Sequence, residues 1–296
     1  MTATPSVASA PEPPLPSSVQ YFDADFDYES HALEVSSRWS PAAAEAPLPP
    51  LCEQDAAWQA FHEQHSGEHF FKPRRYLLAE FSVLSAPDLR LLELGCGSGS
   101  SALPVLSVSP TARVTACDFA QSAVDACLKN TAAHAARCDV FRADLCNGAF
   151  STALDASAAR AGWGGARSFD AVLCAFVLSA LPPDKLQRAL INALSAVRFG
   201  GVLLLRDYGD LDMPQLRFAP SSCRGERLYQ RVDGTLARFF RSEALRDEVL
   251  AAAQQAGLAV SCLDAHYCCV RCTNRRESLE MKRVFVHLEV RVDGLL

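Results

Sequence analysis

The run Glu93-Leu94-Gly95-Cys96-Gly97-Ser98-Gly99 sets three glycines at alternate positions behind an acid and an apolar stretch. Where a strand hands over to a helix, such a loop presents backbone amides and a helix N-terminus to an anionic or polar group. Its glycines let that group approach the main chain closely. Two later carboxylates extend the pattern. Asp118 closes the next apolar run, 23 residues after Gly95, where an acid can accept both hydroxyls of a ribose. Asp144 follows a third, shorter run, and with Leu145 it can address the edge of an adenine. The chemistry is that of holding a nucleoside-like cofactor. A dinucleotide fingerprint would need its third glycine at position 100, where Ser100 stands. The competing reading is a glycine-rich turn followed by two helix-capping aspartates; the occurrence of all three features at successive strand ends favours the cofactor.

These residues need a scaffold that brings strand ends together, and the chain has its pattern. Strand signals at Leu89–Leu94, Arg113–Cys117, Asp139–Arg142, Phe169–Val177 and Val202–Arg206 alternate with helix signals, among them Gln121–His134 and Asp184–Val197, the latter stopped by Gly200-Gly201. Such alternation implies parallel strands joined by crossover helices. The Ala/Gly-rich stretch Asn147–Ser168 reads as a surface insertion containing a helix. Beyond Asp207 the pattern changes: Leu228–Arg231 and Ala237–Phe240 flank an Asp233-Gly234 turn, a hairpin signal. Ser242 then caps a helix ending at Gly257, and Leu258–Leu263, Tyr267–Arg271 and Val284–Val290 read as closing strands. The expected fold is α/β: a doubly wound, mostly parallel seven-stranded sheet with a C-terminal antiparallel hairpin and an N-terminal extension. The domain plan is a disordered tail over 1–20, an extension over 21–85 serving cofactor and RNA, and the main domain over 86–296.

Composition limits the partners. The net charge of −6 is uneven, because residues 1–60 hold nine acids and one base while the remainder is slightly basic. Polyanion binding therefore stays open, with weak unaided affinity expected. No run of 18 apolar residues and no basic leader followed by an apolar stretch occurs, so neither a membrane span nor a secretory signal is expected. Twelve cysteines are scattered, and Cys96, Cys117, Cys127 and Cys174 sit among Val, Leu and Ala as small apolar residues. A reducing compartment follows, the cytoplasm or also the nucleus.

An acid before Gly-x-Gly-x-Gly resembles motif I of the class I methyltransferases. Further blocks resemble the tRNA 3-methylcytidine methyltransferases: Cys117-Asp118-Phe119, Phe176-Val177-Leu178-Ser179-Ala180, Pro183-Asp184-Lys185, Arg206-Asp207-Tyr208-Gly209, Leu216-Arg217-Phe218, and Asp233-Gly234-Thr235 followed by Phe239-Phe240. The likeness runs in order from about Trp58 to Val290, and the Arg-Asp-Tyr-Gly and Asp-Gly-Thr blocks are its most specific parts. It implies a class I fold, S-adenosyl-L-methionine as donor, and N3 of a cytidine in the anticodon loop of tRNA as acceptor. Cofactor contacts carried over on this resemblance are Trp58, Gly95, Asp118, Asp144, Leu145 and Ala175, to which the loop itself adds Glu93, Gly97 and Gly99. Where the family has a tyrosine four residues after Trp58, this chain has His62, assigned to the same pocket. The stretch Phe70–Tyr76 also departs, lacking the family's acid before its first arginine and ending on tyrosine instead of tryptophan. Some family members act together with seryl-tRNA synthetase, a partner for which the acidic segment Asp23–Glu34 is a candidate docking site, if it does not simply keep the chain soluble.

Methyl transfer from a sulfonium to cytosine N3 needs orientation more than proton transfer, since the lone pair is free on the neutral base and placement alone is worth roughly 7–11 kcal/mol in favourable cases. His62, His65, His69 and His134 therefore need not be bases. The base must be unpaired or turned out to expose N3, and the methylated ring carries positive charge that a carboxylate or aromatic face can stabilise. Asp207 and Tyr208, just past the fifth strand, and Phe176, past the fourth, are the catalytic candidates. Their alternative is a turn acid and two packed aromatics. Arginines around the hairpin, Arg217, Arg231 and Arg238 foremost, with Lys72 and Arg74 in the aromatic approach segment, are the RNA-binding candidates; the alternative is a solvated charged face.

Cys262, His266, Cys268, Cys269 and Cys272 invite a zinc reading. No metal is expected there, because the candidates crowd one strand whose side chains alternate between faces. Two other functions remain open at this level: methylation of a small molecule or protein, which would not require the arginine-rich hairpin, and a non-catalytic partner subunit, which intact Gly95, Gly97, Gly99, Asp118 and Asp144 disfavour.

Overall fold

The computed structural model describes residues 23–40, 51–65, 72–274 and 279–296. The expected tail over 1–20 and the aromatic pair Phe70-Phe71 lie outside the described residues.

The first strands are mostly apolar in their interiors. Arg90–Leu94 (β1), Arg113–Asp118 (β2), Cys138–Arg142 (β3) and Phe169–Ala175 (β4) pair in parallel, with Leu91, Leu92, Leu94, Val172 and Leu173 wholly buried. Strands covered on both faces need apolar side chains at consecutive positions, which is the pattern seen. Val197–Tyr208 (β5) continues the parallel set beside β4, with a register shift between Phe169 and Ala171. Gly200-Gly201 thus does not end the preceding helix. That helix, Pro183–Ala196, stops at Ala196, and the chain enters β5 directly, bending through Gly200 at φ 77°. Its apolar stripe, Leu186, Ala189, Leu190, Ala193 and Leu194, is buried against the sheet at helical spacing.

Three short strands, Cys223–Gly225 (β6), Leu228–Gln230 (β7) and Leu236–Arg238 (β8), form a separate antiparallel sheet. The Asp233-Gly234 hairpin is there, with one strand more than expected. Helix Ser242–Gln255 follows, and then two 17-residue strands, Leu258–Asn274 (β9) and Leu279–Leu295 (β10), close the main sheet antiparallel. The two closing strands expected over Leu258–Leu263 and Tyr267–Arg271 are one continuous strand. A register shift between Glu289 and Val290 of β10, opposite Asp264 and Cys262, absorbs the irregularity that made the sequence look interrupted.

The main sheet has seven strands in the order β3-β2-β1-β4-β5-β10-β9. The chain winds outward from β1 through β2 to β3, then returns to β1 and winds the other way through β4 and β5. The reversal opens a crevice at the carboxyl ends of β1 and β4, where such sheets bind ligands. Helix Leu51–Gln64 lies over this edge. At the opposite edge Ala24 bridges Cys269 of β9, with hydrogen bonds from the Asp25 and Cys269 amides at 2.7 and 2.6 Å. Acids of that N-terminal segment meet bases of the chain itself: Asp25 accepts the Arg271 amide at 2.8 Å and Glu34 pairs with Lys282 at 2.8 Å. Among the described residues no helix is long and apolar enough to cross a membrane.

Candidate active site

The crevice is a cavity of about 590 Å³. Trp58, His62, Gly95, Gly97, Asp118, Asp144, Leu145 and Ala175 all line it, as do Phe176, Tyr208, Arg74 and Arg231. Residues distant in the chain are thus gathered by the strand ends, the helix over them and the small sheet.

The glycine loop is shaped by contacts that exclude side chains. Gly95 has φ 63°, and a Cβ there would sit 2.6 Å from a Val177 methyl; Gly99, at φ 80°, would press a Cβ within 2.9 Å of Cys127 Sγ. Gly99 therefore serves helix packing and does not face the cavity. Glu93 does not face it either: it is buried under the loop, where desolvation lifts its carboxyl to about 7 against the pull of Ser101 and Arg74.

Asp118 stands at the end of β2. Its Oδ2 accepts the Gly97 amide at 3.0 Å and its Oδ1 the Ala120 amide at 3.0 Å, which fixes the carboxylate at the cavity wall. Burial raises its pKa, the nearby His62 lowering it in part. His62 is itself lowered, by burial first, with Asp118 pulling the other way, so the imidazole is neutral near pH 7. It lies over Gly97, in the place that the resemblance gives to a tyrosine. Trp58 packs within 6.0 Å of it and 5.3 Å from Phe61, forming an aromatic roof. Asp144 is exposed at the rim after β3, its Oδ1 accepting the Cys146 amide at 2.8 Å, with Leu145 buried beside it. An amide-lined loop, an acid fixed at ribose distance in the chain, an apolar wall and an aromatic roof fit S-adenosylmethionine.

The acceptor side is aromatic. Phe176 holds φ 63°, a left-handed conformation strained for a bulky residue. That backbone turns its ring to within 5.1 Å of the Tyr208 ring and under the Arg74 guanidinium. Tyr208 in turn has Arg231 5.8 Å above its face. Asp207 takes a different place from the one expected. It is buried, faces away from the cavity, and accepts the Ser179 amide at 3.0 Å and the Tyr208 amide at 2.8 Å. Desolvation raises its pKa to about 6. Asp207 is thus a positioning residue that ties the strap after β4 to the end of β5, and not a charge facing the substrate.

The arginines divide. Arg74 donates to the Ser101 hydroxyl and the Ala175 carbonyl inside the site, and Arg231 to Thr235 and Leu236 of its own hairpin. Arg238 pairs with Glu248 at 2.9 Å and covers Phe240, away from the cavity. Arg227 and Arg241 meet Asp210. The density of hairpin arginines is therefore largely spent inside the fold. Lys72 and Arg217 are exposed. The sequence reading passed over Phe61, Phe119, Lys185, Asp233 and Thr235, which also line the cavity. The Asp-Gly-Thr block that carried the resemblance was the available signal for the last two.

A methyltransferase-domain family model matches residues 92–203. The tRNA N(3)-methylcytidine methyltransferase Mettl2 of Drosophila melanogaster is 33% identical over 279 residues, covering 90% of this chain and 81% of that protein. The tRNA N(3)-methylcytidine methyltransferase trm141 of Schizosaccharomyces pombe is 33% identical over 241 residues, 79% and 90% of the two chains. The tRNA N(3)-cytidine methyltransferase METTL6 of Rattus norvegicus is 32% identical over 245 residues, 81% and 79%. Among solved structures, a SAM-dependent methyltransferase of Anabaena variabilis superposes with a TM-score of 0.60 at 13% identity, covering 86% of this chain and all of that one. The 1,6-didemethyltoxoflavin-N1-methyltransferase of Burkholderia thailandensis, bound to S-adenosylhomocysteine, does so with 0.53 at 17%, covering 84% and 93%. At these identities the structural likeness is one of fold.

Proposed function

The chain belongs to the tRNA N(3)-cytidine methyltransferase family, and from that premise we propose that it methylates N3 of a cytidine in the anticodon loop of tRNA, using S-adenosyl-L-methionine. The observation that carries this reading is a single cavity with a fixed nucleoside-binding acid, Asp118, on one wall and the Phe176–Tyr208 aromatic pair on another.

When bound, S-adenosylmethionine supplies an electrophilic methyl group on a sulfonium. Asp118 and the loop from Gly95 to Gly97 hold the nucleoside half, and Trp58 with His62 covers it from water. Phe176 and Tyr208 offer faces on which an extruded cytosine stacks, N3 directed at the methyl carbon. The bound donor would give its methyl group to the free N3 lone pair, the S–C electron pair staying with sulfur, so no proton would have to leave the base and none of the histidines would be required. The cation left on the ring is stabilised by the same π faces. Arg231, whose own carbonyl and hydroxyl partners orient it above Tyr208, stands at the rim where a phosphate of the flipped nucleotide would pass. Lys72 and Arg217 extend that contact outward. A partner such as seryl-tRNA synthetase would supplement Lys72 and Arg217, and the cytoplasm, or also the nucleus, is the expected location.

The test is incubation of the purified chain with S-adenosylmethionine and unmodified tRNA, followed by nucleoside mass spectrometry. The expected product is 3-methylcytidine, absent with Asp118→Ala. Methyl label entering only a metabolite fraction would overturn the reading.

A further inference from the structure

His266 and Cys268 are two residues apart on β9, so their side chains share one face, and His287 of β10 is the direct cross-strand partner of His266. A third ligand from the neighbouring strand is what spacing along one strand could not reveal. One nitrogen of each imidazole and the Cys268 Sγ all lie within 4.8 Å of one another.

The two imidazoles are oriented in the same way. His266 Nδ1 is 3.1 Å from Asp264 Oδ1, and His287 Nδ1 is 3.1 Å from Glu80 Oε1. Glu80 is also paired with the Arg206 guanidinium 2.6 Å away, so its carboxylate is held between the two side chains. A carboxylate oxygen accepts, so the Nδ1 facing it donates, which leaves the lone pair of the ring on Nε2. Carboxylates holding the Nδ1–H of histidines in this way are the usual outer shell of a zinc site. His266 Nε2 lies 3.6 Å from Cys268 Sγ, and ligands at ordinary Zn–N and Zn–S lengths in a tetrahedron are about 3.5–3.6 Å apart. The rings are also held rigidly, with His287 stacked between Phe81 and His266, each 4.5 Å away.

We propose that His266, Cys268 and His287 form a zinc site on the β9–β10 edge of the sheet, with Asp23 as the fourth, outer ligand. Asp23 Oδ2 is 3.7 Å from His266 Nε2 and enters from the N-terminal segment that bridges β9 at Cys269. A thiolate and the carboxylates of Asp23, Glu80 and Asp264 leave an excess of negative charge around Arg206, which a divalent cation offsets to within one charge. None of the three inner ligands lines the cofactor cavity, so the site is structural. It fastens the N-terminal segment to the sheet and pins the long hairpin at mid-length. The chemistry of one thiolate and two imidazoles suits zinc over magnesium or calcium.

The full chain, stripped with a chelator, is titrated with Co²⁺ and then with Zn²⁺. One equivalent of Co²⁺ producing a thiolate charge-transfer band, displaced by Zn²⁺ with a rise in Tm, is the expected result. His266→Ala, at a half-exposed position that the fold tolerates, and Cys268→Ser should each abolish the band, while Cys272→Ser keeps it. Asp264→Asn should weaken metal affinity by about 10–100-fold. Absence of the band in the wild-type chain, its survival in both His266→Ala and Cys268→Ser, or its loss in Cys272→Ser alone, each overturns the proposal.

Discussion

The carboxylate of Asp118 accepts the backbone amide of Gly97 at 3.0 Å, so the acid that ends β2 also sets the shape of the loop that follows β1. One side chain couples two parts of the cofactor site, and its removal should cost both. Asp118→Ala is expected to weaken S-adenosylmethionine binding by about 10–150-fold, the worth of a charged hydrogen bond of about 1.5–3 kcal/mol. Isothermal titration calorimetry measures it; an unchanged Kd would refute the assignment of Asp118 to the ribose.

Phe176 separates base recognition from cofactor binding. Its ring meets Tyr208 and Arg74, while the loop and Asp118 stand on the other wall. Phe176→Ala should lower kcat/KM on tRNA by about 5–150-fold, the range of one base-stacking contact of about 1–3 kcal/mol, and leave the cofactor Kd within a factor of about three. A parallel loss of cofactor affinity would place the ring elsewhere in the mechanism.

Asp207 makes stability depend on pH in a defined sense. Its carboxyl is raised from the ordinary 3.8 to about 6, so the folded chain holds the proton more tightly than the unfolded one. Its contribution is full below the unfolded value and is lost as pH rises through about 6, on the order of 3 kcal/mol between pH 4 and pH 7. Asp207→Asn removes that slope, and because one of the two amides from Ser179 and Tyr208 then loses its acceptor, it also lowers stability at pH 5 by about 1–3 kcal/mol. Urea melts at several pH values test this; equal slopes in both proteins would contradict it.

The cations should separate by their engagement. Lys72→Ala and Arg217→Ala are each expected to reduce the slope of log K for tRNA against log salt by roughly 0.7–0.9, as the loss of one phosphate contact does. Arg238→Ala should leave that slope alone and cost at most about 1 kcal/mol of stability, through Glu248 and Phe240. Filter binding across a salt series distinguishes the two classes.

Part of this molecule follows from local sequence. The short, mostly apolar runs of β1, β2 and β4, alternating with helical patterns, read as strands buried on both faces, and the glycines with Asp118 and Asp144 meet because those strands are parallel neighbours. The loop, Asp118 and Asp144 were legible for that reason, each sitting at the end of a strand that the local pattern specifies, whereas Trp58 and His62 lie inside a helix and were found by resemblance alone. The acceptor half was less so. Phe176 and Tyr208 were identified beside Asp207, but β5 runs on through Tyr208, and the alternation that sends Tyr208 to the cavity turns the Asp207 carboxylate the other way, to accept the Ser179 amide.

What only the tertiary structure decided concerns groups brought together from distant elements. Arg227, Arg238 and Arg241 meet acids of neighbouring segments, contacts that no count of charges along the chain discloses. His287 faces His266 through a register fixed by the whole β9–β10 ladder, with Glu80 arriving from a helix more than 180 residues earlier. Sequence period determines which way a side chain points within its own element. Which partner waits there depends on strand order and register, and those are set by the burial of the sheet as a whole.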